Sequence, residues 1–330
     1  MKTVKLLYLL PFIALTTQAM ETEYPCATEV DFKEFHLVTF CPTQQNPSET
    51  FENVVIKLKN NNREKLDGAT IATKESGINL SLSTKLPENY RGNIHIGTPG
   101  AICCCDEYVY PERSAVAAYS EFNKGQLGTT DCVVSFCLPN HDRRQFNFGQ
   151  KQDQITISKF LNILVQKNPS ASIILHGACS GATSTLNTLA CDYLAPEAKA
   201  SVKKVVLQCP AISSEKVWED MSANHLPWGL RWIFPIVARL FYPNCKQEKT
   251  AAVLDSYKKI PKIINFFIAQ LNHDKVTPPA SVKLQKKVLE DNGNTVTYFE
   301  CNNRNIKHAY LTQDQDYLNA VKQFLKEKHE

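Results

Sequence analysis

The stretch that most constrains this chain runs Ile173-Ile174-Leu175-His176-Gly177-Ala178-Cys179-Ser180-Gly181. Ile173 to Leu175 is a short continuous apolar run, the pattern of a strand buried on both faces. Beyond Gly181 the period changes, and Leu186, Leu189 and Ala190 recur at helical spacing. Two glycines frame one cysteine, as expected where a strand turns sharply into a helix and its backbone packs closely. The positive end of that helix favours a thiolate at Cys179, and the backbone N–H of Ser180 can face a developing oxyanion. The pattern is G-x-S-x-G with cysteine in the place of serine. Two other readings stay open at this point. Cys179 could be only a small buried residue in a tight turn, or the register could shift so that Ser180 is the nucleophile.

The start of the chain is a processing signal. Lys2 and Lys5 precede an apolar run from Leu6 to Leu15, and Thr17-Gln18-Ala19 offers a small-residue cleavage site. Crossing a bilayer takes about 20 apolar residues, so residues 1–19 read as a secretory signal peptide rather than an uncleaved anchor. The expected location is periplasmic or extracellular, with no stable membrane insertion after cleavage. Export makes the 12 cysteines suggestive of disulfides. Their spacings contain no C-x-x-C, which argues against a metal ribbon. If Cys179 is free, an odd number remains, so at least one more is unpaired or bridges to another chain. A net charge of +4, with the basic residues scattered, gives no nucleic-acid signature.

Residues 20–50 read as a polar, loop-rich lead-in, and residues 51–330 as one α/β domain. Phe51 to Leu58 and Gly68 to Thr73, separated by Asn60-Asn61-Asn62, suggest an opening antiparallel hairpin. Asn93 to Ile96 is a third strand, leading to the flexible Gly97-Thr98-Pro99-Gly100. A helix is expected over Ser114–Phe122, a buried strand over Cys132–Phe136, and an amphipathic helix over Gln154–Val165. Further strands are expected at Val205–Pro210, Phe266–Ala269 and Thr295–Cys301. Helices are expected from Pro278-Pro279 to Asn292-Gly293 and from about Tyr317 to Lys326. Strands alternating with helices specify a doubly wound, mostly parallel sheet. Residues 215–264 interrupt that rhythm and carry Trp218, Trp228, Trp232, Phe234, Phe241 and Tyr242. Long insertions in compact domains are usually functional. This one reads as a helical lid over the strand ends, with extra core as the plainer alternative.

Asp274 follows one strand and His308 the next, with a helix between them. Nucleophile, acid, histidine is one of the known triad orders. With Gly177–Gly181, Asn272-His273-Asp274-Lys275-Val276 and His308 ahead of the last helix, most of residues 50–330 resembles the α/β-hydrolase superfamily. The resemblance implies an eight-stranded sheet whose first strands are antiparallel, and a lid after the sixth strand. It also implies catalysis by Cys179, Asp274 and His308. The loop from Gly97 to Gly100 would hold the second oxyanion donor. A His-Gly dipeptide is absent there, and Thr98 is the candidate. The implied activity is acyl hydrolysis of esterase, thioesterase or lipase type, with no metal or organic cofactor. Trp228, Trp232 and Phe241 would line the lid against a small-molecule or lipid-like acyl substrate. An acyltransferase with the same triad, or a silent binding protein, remains open. Cys179 and Cys209 end neighbouring strands, at about the separation of a disulfide, and a bridge there would silence the nucleophile. His176 reads as a satisfied core histidine, and His95 as one without a constellation.

Overall fold

A computed structural model describes residues 38–43, 49–50, 70–72, 79–83, 87–98, 131–135, 151–232, 236, 248–308 and 310–327. The strands among them are β1 (Val38–Thr43), β2 (Glu49–Thr50), β3 (Thr70–Ala72), β4 (Asn79–Ser83), β5 (Asn93–Thr98), β6 (Cys132–Ser135), β7 (Ser172–Ala178), β8 (Val202–Gln208), β9 (Asn265–Leu271) and β10 (Thr295–Cys301). They form one sheet in the order β10-β9-β8-β7-β5-β6-β1-β4-β3-β2. From β10 to β6 every pairing is parallel, and β1 runs antiparallel to both β6 and β4.

The central strands are apolar on both sides because helices cover both faces. Phe266 and Ile268 of β9 join Val205, Leu207, Ile173 and Leu175 in one core. The alternate residues Phe267, Ala269 and Leu271 join Val206 in the other, as the two-residue period of a strand requires. The helices are α1 (Lys151–Lys167), α2 (Ser180–Ala190), α3 (Pro196–Ser201), α4 (Ser214–His225), α5 (Thr250–Ser256), α6 (Pro279–Asp291) and α7 (Gln315–Lys326). Phe160, Leu161 and Leu164 of α1, with Leu186 and Leu189 of α2, close the first core. Tyr317, Leu318, Val321 and Phe324 of α7 close the second. Every residue of α2 is buried although its sequence is rich in Ser and Thr. It manages this by folding its hydroxyls back. Ser184, Thr185 and Thr188 each donate to the carbonyl four residues earlier, at 3.1, 2.9 and 2.7 Å.

The opening of the chain departs from expectation. The described sheet has ten strands rather than eight. β1 lies inside the segment read as lead-in, yet it sits between β4 and β6. Thr70–Ala72 is a strand as expected, but its antiparallel partner is β4, and the strand before it, β2, pairs in parallel. Asparagine-rich turn chemistry marks where a chain reverses, but it does not choose the partner strand. Phe51–Leu58 and Ser114–Phe122 lie outside the described residues, as do residues 1–19. The insertion between β8 and β9 is helical where described: α4, a 3-10 turn at Trp228–Leu230, then α5. Among the described residues, no helix is long and apolar enough to cross a membrane.

Candidate active site

β7 ends at Ala178 and α2 starts at Ser180, so Cys179 alone makes the turn. Its φ of 53° and ψ of −119° are strained for a residue with a side chain. The surroundings hold it there. Its N–H donates to the Gln208 carbonyl at the end of β8 (2.9 Å), and its carbonyl accepts from the N–H groups of Ala182 (3.1 Å) and Thr183 (3.3 Å). The first bonds of α2 thus reach back to the Cys179 carbonyl, and Ser180 stands in the first turn of that helix. Thr98 closes β5 opposite Gly177 in the ladder. It is buried, and its hydroxyl oxygen accepts from Thr185 Oγ1 at 3.4 Å.

Asp274 lies in the loop after β9, pinned by an unusually full set of donors. Its Oδ1 accepts from the N–H groups of Val276 (2.8 Å) and Thr277 (3.1 Å). Its Oδ2 accepts from Thr277 Oγ1 (3.1 Å), Gln270 Nε2 (3.3 Å) and His308 Nδ1 (2.6 Å). Burial pushes this carboxyl up, but His308 and the two backbone N–H groups prevail and hold it below the usual 3.8. Since a carboxylate accepts, Nδ1 of His308 carries a proton throughout, and Nε2 is the position that gains and loses the second one. Nε2 is buried without a well-formed hydrogen bond; the Cys209 sulfur lies within 4.8 Å of a ring nitrogen and of the carboxylate, and Cys179 ends the neighbouring strand. Burial alone would depress the imidazole. The charge at Cys179, the bond to Asp274 and the two thiols outweigh it, so His308 stays protonated well above the ordinary 6.5. An acid and a histidine from two strand ends thus meet, with the Cys209 sulfur within 4.8 Å of both.

The remaining residues sort as follows. Cys179 is a free thiol, so no bridge joins it to Cys209. His273 turns away from the carboxylate, its Nε2 donating to the Ile306 carbonyl at 3.1 Å. That contact braces the His308 loop. His95 does have a constellation, contrary to expectation. Its Nε2 donates to Asp131 Oδ2 (3.3 Å) and its Nδ1 accepts from His176 Nε2 (3.0 Å), all three residues being buried. Burial and the neighbouring His95 keep His176 well below 6.5, a neutral core histidine. Trp218 is buried on α4, whereas Trp228 and Trp232 are 85% and 65% exposed and are therefore not core. Phe241 lies outside the described residues. Sequence reasoning missed Thr277 and Gln270, the props of Asp274. An Asp with Thr three residues on is the signature of a side chain capping its own turn, and it could have found Thr277.

No protein-family model and no curated protein sequence matches this chain. Among solved structures, the Pyrococcus furiosus esterase Pf2001 superposes with a TM-score of 0.51 at 15% identity, over 87% of this chain and 96% of that one. The chain has the α/β-hydrolase fold. Further likenesses to the same fold are weaker. They include MGS-MChE2, an α/β hydrolase from the sediment metagenome of the Mar Chica lagoon (TM-score 0.43, 16% identity, 73% of this chain and 93% of that). Another is the acylaminoacyl peptidase of Pyrococcus horikoshii (TM-score 0.46, 13% identity, 73% of this chain), of which the present chain spans 38%. Within the α/β-hydrolase fold, the elbow after β7 and the loops after β9 and β10 occupy one end of the parallel strands. Open α/β sheets bind their ligands there.

Proposed function

We propose that this protein is an exported acyl hydrolase that cleaves an ester, thioester or similar acyl bond through a covalent intermediate on Cys179. One observation carries the reading: Asp274 is bonded to His308 Nδ1 at 2.6 Å, and the strained elbow at Cys179 is near enough to that imidazole to raise it. His308 takes the thiol proton, and Asp274 holds the imidazole in the needed tautomer and balances its charge. The thiolate attacks the acyl carbonyl. The N–H of Ser180 and one from the Thr98 segment hold the oxyanion. Imidazolium protonates the leaving group, and neutral His308 then draws a proton from water, which attacks the thioester and frees Cys179.

The insertion between β8 and β9 is the lid in this reading. Its base is tied beside the acid loop, where Asn224 Nδ2 donates to the Lys275 carbonyl (3.2 Å) and Ser281 Oγ to Asp220 Oδ2 (2.7 Å). Exposed Trp228 and Trp232 suit an apolar acyl or alcohol portion. Export rests on the basic, then apolar start of the chain.

The deciding experiment compares Cys179→Ala with Ser180→Ala on a series of nitrophenyl esters and thioesters. Cys179→Ala should lose on the order of a thousandfold or more in kcat, and Ser180→Ala only a few-fold. Iodoacetamide should label Cys179, with substrate protecting it. A live Cys179→Ala beside a dead Ser180→Ala would make serine the nucleophile. Full activity in both would leave a binding protein.

A further inference from the structure

Consecutive residues after β9 each reach across to the loop that carries His308. Asn272 does so twice: its N–H donates to the Cys301 carbonyl at 3.0 Å, and its Nδ2 to Asn302 Oδ1 at 2.6 Å. His273 Nε2 donates to the Ile306 carbonyl at 3.1 Å, and its Nδ1 lies 2.9 Å from Asn272 Oδ1. Asp274 makes the last reach, to His308 Nδ1 at 2.6 Å. The partners follow the same order along the second loop, from Cys301 and Asn302 through Ile306 to His308. The two loops are therefore laced together rung by rung from the strand ends outward.

The two sides of this lacing are unequally fixed. Asp274 is pinned from its own side by Val276, Thr277 and Gln270, so it does not follow an imidazole that drifts. The His308 loop has fewer anchors. Cys301 and Leu311 are buried at its ends, and among the described residues between them Ile306 alone is buried. Asn303 ties the first half of the loop to Asp314 (3.3 Å). His308 stands two residues beyond Ile306, and the backbone at Ile306 is what His273 holds. The clasp also survives a change of charge on His273. A protonated ring donates from both nitrogens. A neutral one keeps its proton on Nε2, and the amides of Asn272 and Asn302 turn over so that Nδ2 of Asn272 donates to Nδ1.

We propose that His273 is a positioning residue, which sets the His308 imidazole in line with Asp274 by holding the Ile306 carbonyl, with Asn272 and Asn302 as the supporting rung. The inference rests on the acyl-hydrolase reading for its effect on turnover, whereas the alignment itself belongs to the resting protein. Without the His273 bond the loop samples positions in which His308 Nδ1 leaves the carboxylate. Small misplacements of a catalytic group are costly to rate, and they leave the contacts that bind substrate in place.

The test compares His273→Ala, His273→Gln and Asn302→Ala with the parent, each as the full chain. The first readout needs no substrate. The proton between His308 Nδ1 and Asp274 gives a magnetic resonance signal well downfield of the amides, assigned by its loss in His308→Gln. His273→Ala should speed exchange of that proton with water by roughly 3–10-fold, the equivalent of one net hydrogen bond. His273→Gln still carries a donor for the Ile306 carbonyl and should restore the parent rate. Asn302→Ala keeps His273 and should give a smaller change in the same direction. On nitrophenyl esters, kcat should fall in the same order, with KM within about twofold of the parent. Unchanged exchange in His273→Ala, or a glutamine variant as impaired as the alanine one, overturns the proposal. So does exchange that rises only in step with a lowered urea midpoint, since that marks general loosening. The expected exchange pattern in a protein that turns over no ester would support the clasp and count against the hydrolase reading.

Discussion

Substituting Gly177 with alanine tests the elbow without touching a reacting group. A Cβ at Gly177 would sit 2.6 Å from the Ala182 Cα, 2.8 Å from its N and 2.9 Å from the Gly181 carbonyl oxygen. Carbon atoms pack best at about 3.5–4.0 Å, so the methyl overlaps rigid backbone by roughly 1 Å. Neither side yields easily, because β7 is laddered on both edges and α2 is buried along its length. Overpacking typically costs 1–3 kcal/mol, and a backbone clash on two fixed elements belongs at the upper end, about 3 kcal/mol. The route of relief is for α2 to slide away, which carries the Ser180 N–H off the oxyanion and lowers turnover as well. Gly97 is the internal control: a Cβ there meets nothing within 4 Å. Gly97→Ala should stay within about 0.5 kcal/mol, or gain 0.4–1 kcal/mol from a stiffer unfolded chain. Urea unfolding followed by circular dichroism, with turnover measured in parallel, separates the two. A Gly177→Ala protein as stable and active as the parent would refute the close strand–helix contact on which this reading of the elbow depends.

Three further outcomes are expected. His308 is held well above 6.5, so the folded protein keeps a proton that the unfolded chain releases. That stabilisation is complete below about pH 6.5 and drains away as pH rises through the raised value. The stability advantage of the parent over His308→Gln in urea should therefore shrink with rising pH; an advantage that grows would be the wrong sign. Trp228→Ala and Trp232→Ala, at exposed positions, should change acyl-chain preference while leaving the unfolding midpoint within about 0.5 kcal/mol, whereas equal loss on every substrate with a lower midpoint would make them core. Buried Lys204 donates to the carbonyls of Phe324 (2.7 Å), Leu325 (3.0 Å) and Glu327 (2.6 Å) at the end of α7. Lys204→Met should cost about 2 kcal/mol in urea unfolding, and a neutral result would mean that water replaces the lysine there.

The parallel half of the fold was legible because its strands are buried on both faces and read as unbroken apolar runs. The period-3.6 stripe of α1, with Phe160, Leu161 and Leu164 in the core, was legible for the same reason, and so were the proline start and Asn-Gly stop of α6. The opening strands were not. β1 runs Val-Thr-Phe-Cys-Pro-Thr, with a proline that argues against an inner strand, yet it pairs on both sides. Its place is set by partners distant in sequence, β4 and β6, and local propensity carries no information about them.

The site shows the same limit at finer grain. Cys179, Asp274 and His308 stand out because each follows a recognisable strand, and chain order suggests their roles; the structure pairs Asp274 with His308. Cys209 follows a strand too, and its adjacency to Cys179 was readable, but the direction of its thiol was not. A disulfide partner and a group beside the histidine are equally compatible with a residue that ends the neighbouring strand. What decides is the backbone: φ is positive at both Cys179 and Cys209, and neither is a glycine that would announce it. Two side-chain-bearing residues held in a sparsely populated conformation, at neighbouring strand ends, is strain concentrated at a single point. Such strain persists only where the surrounding structure over-determines it. Here the fixed contacts are the Gln208 and Ala269 carbonyls that receive the two cysteine N–H groups. The sheet register therefore sets the two cysteines side by side at one end of the sheet, and register is a property of the pairing rather than of either strand's sequence.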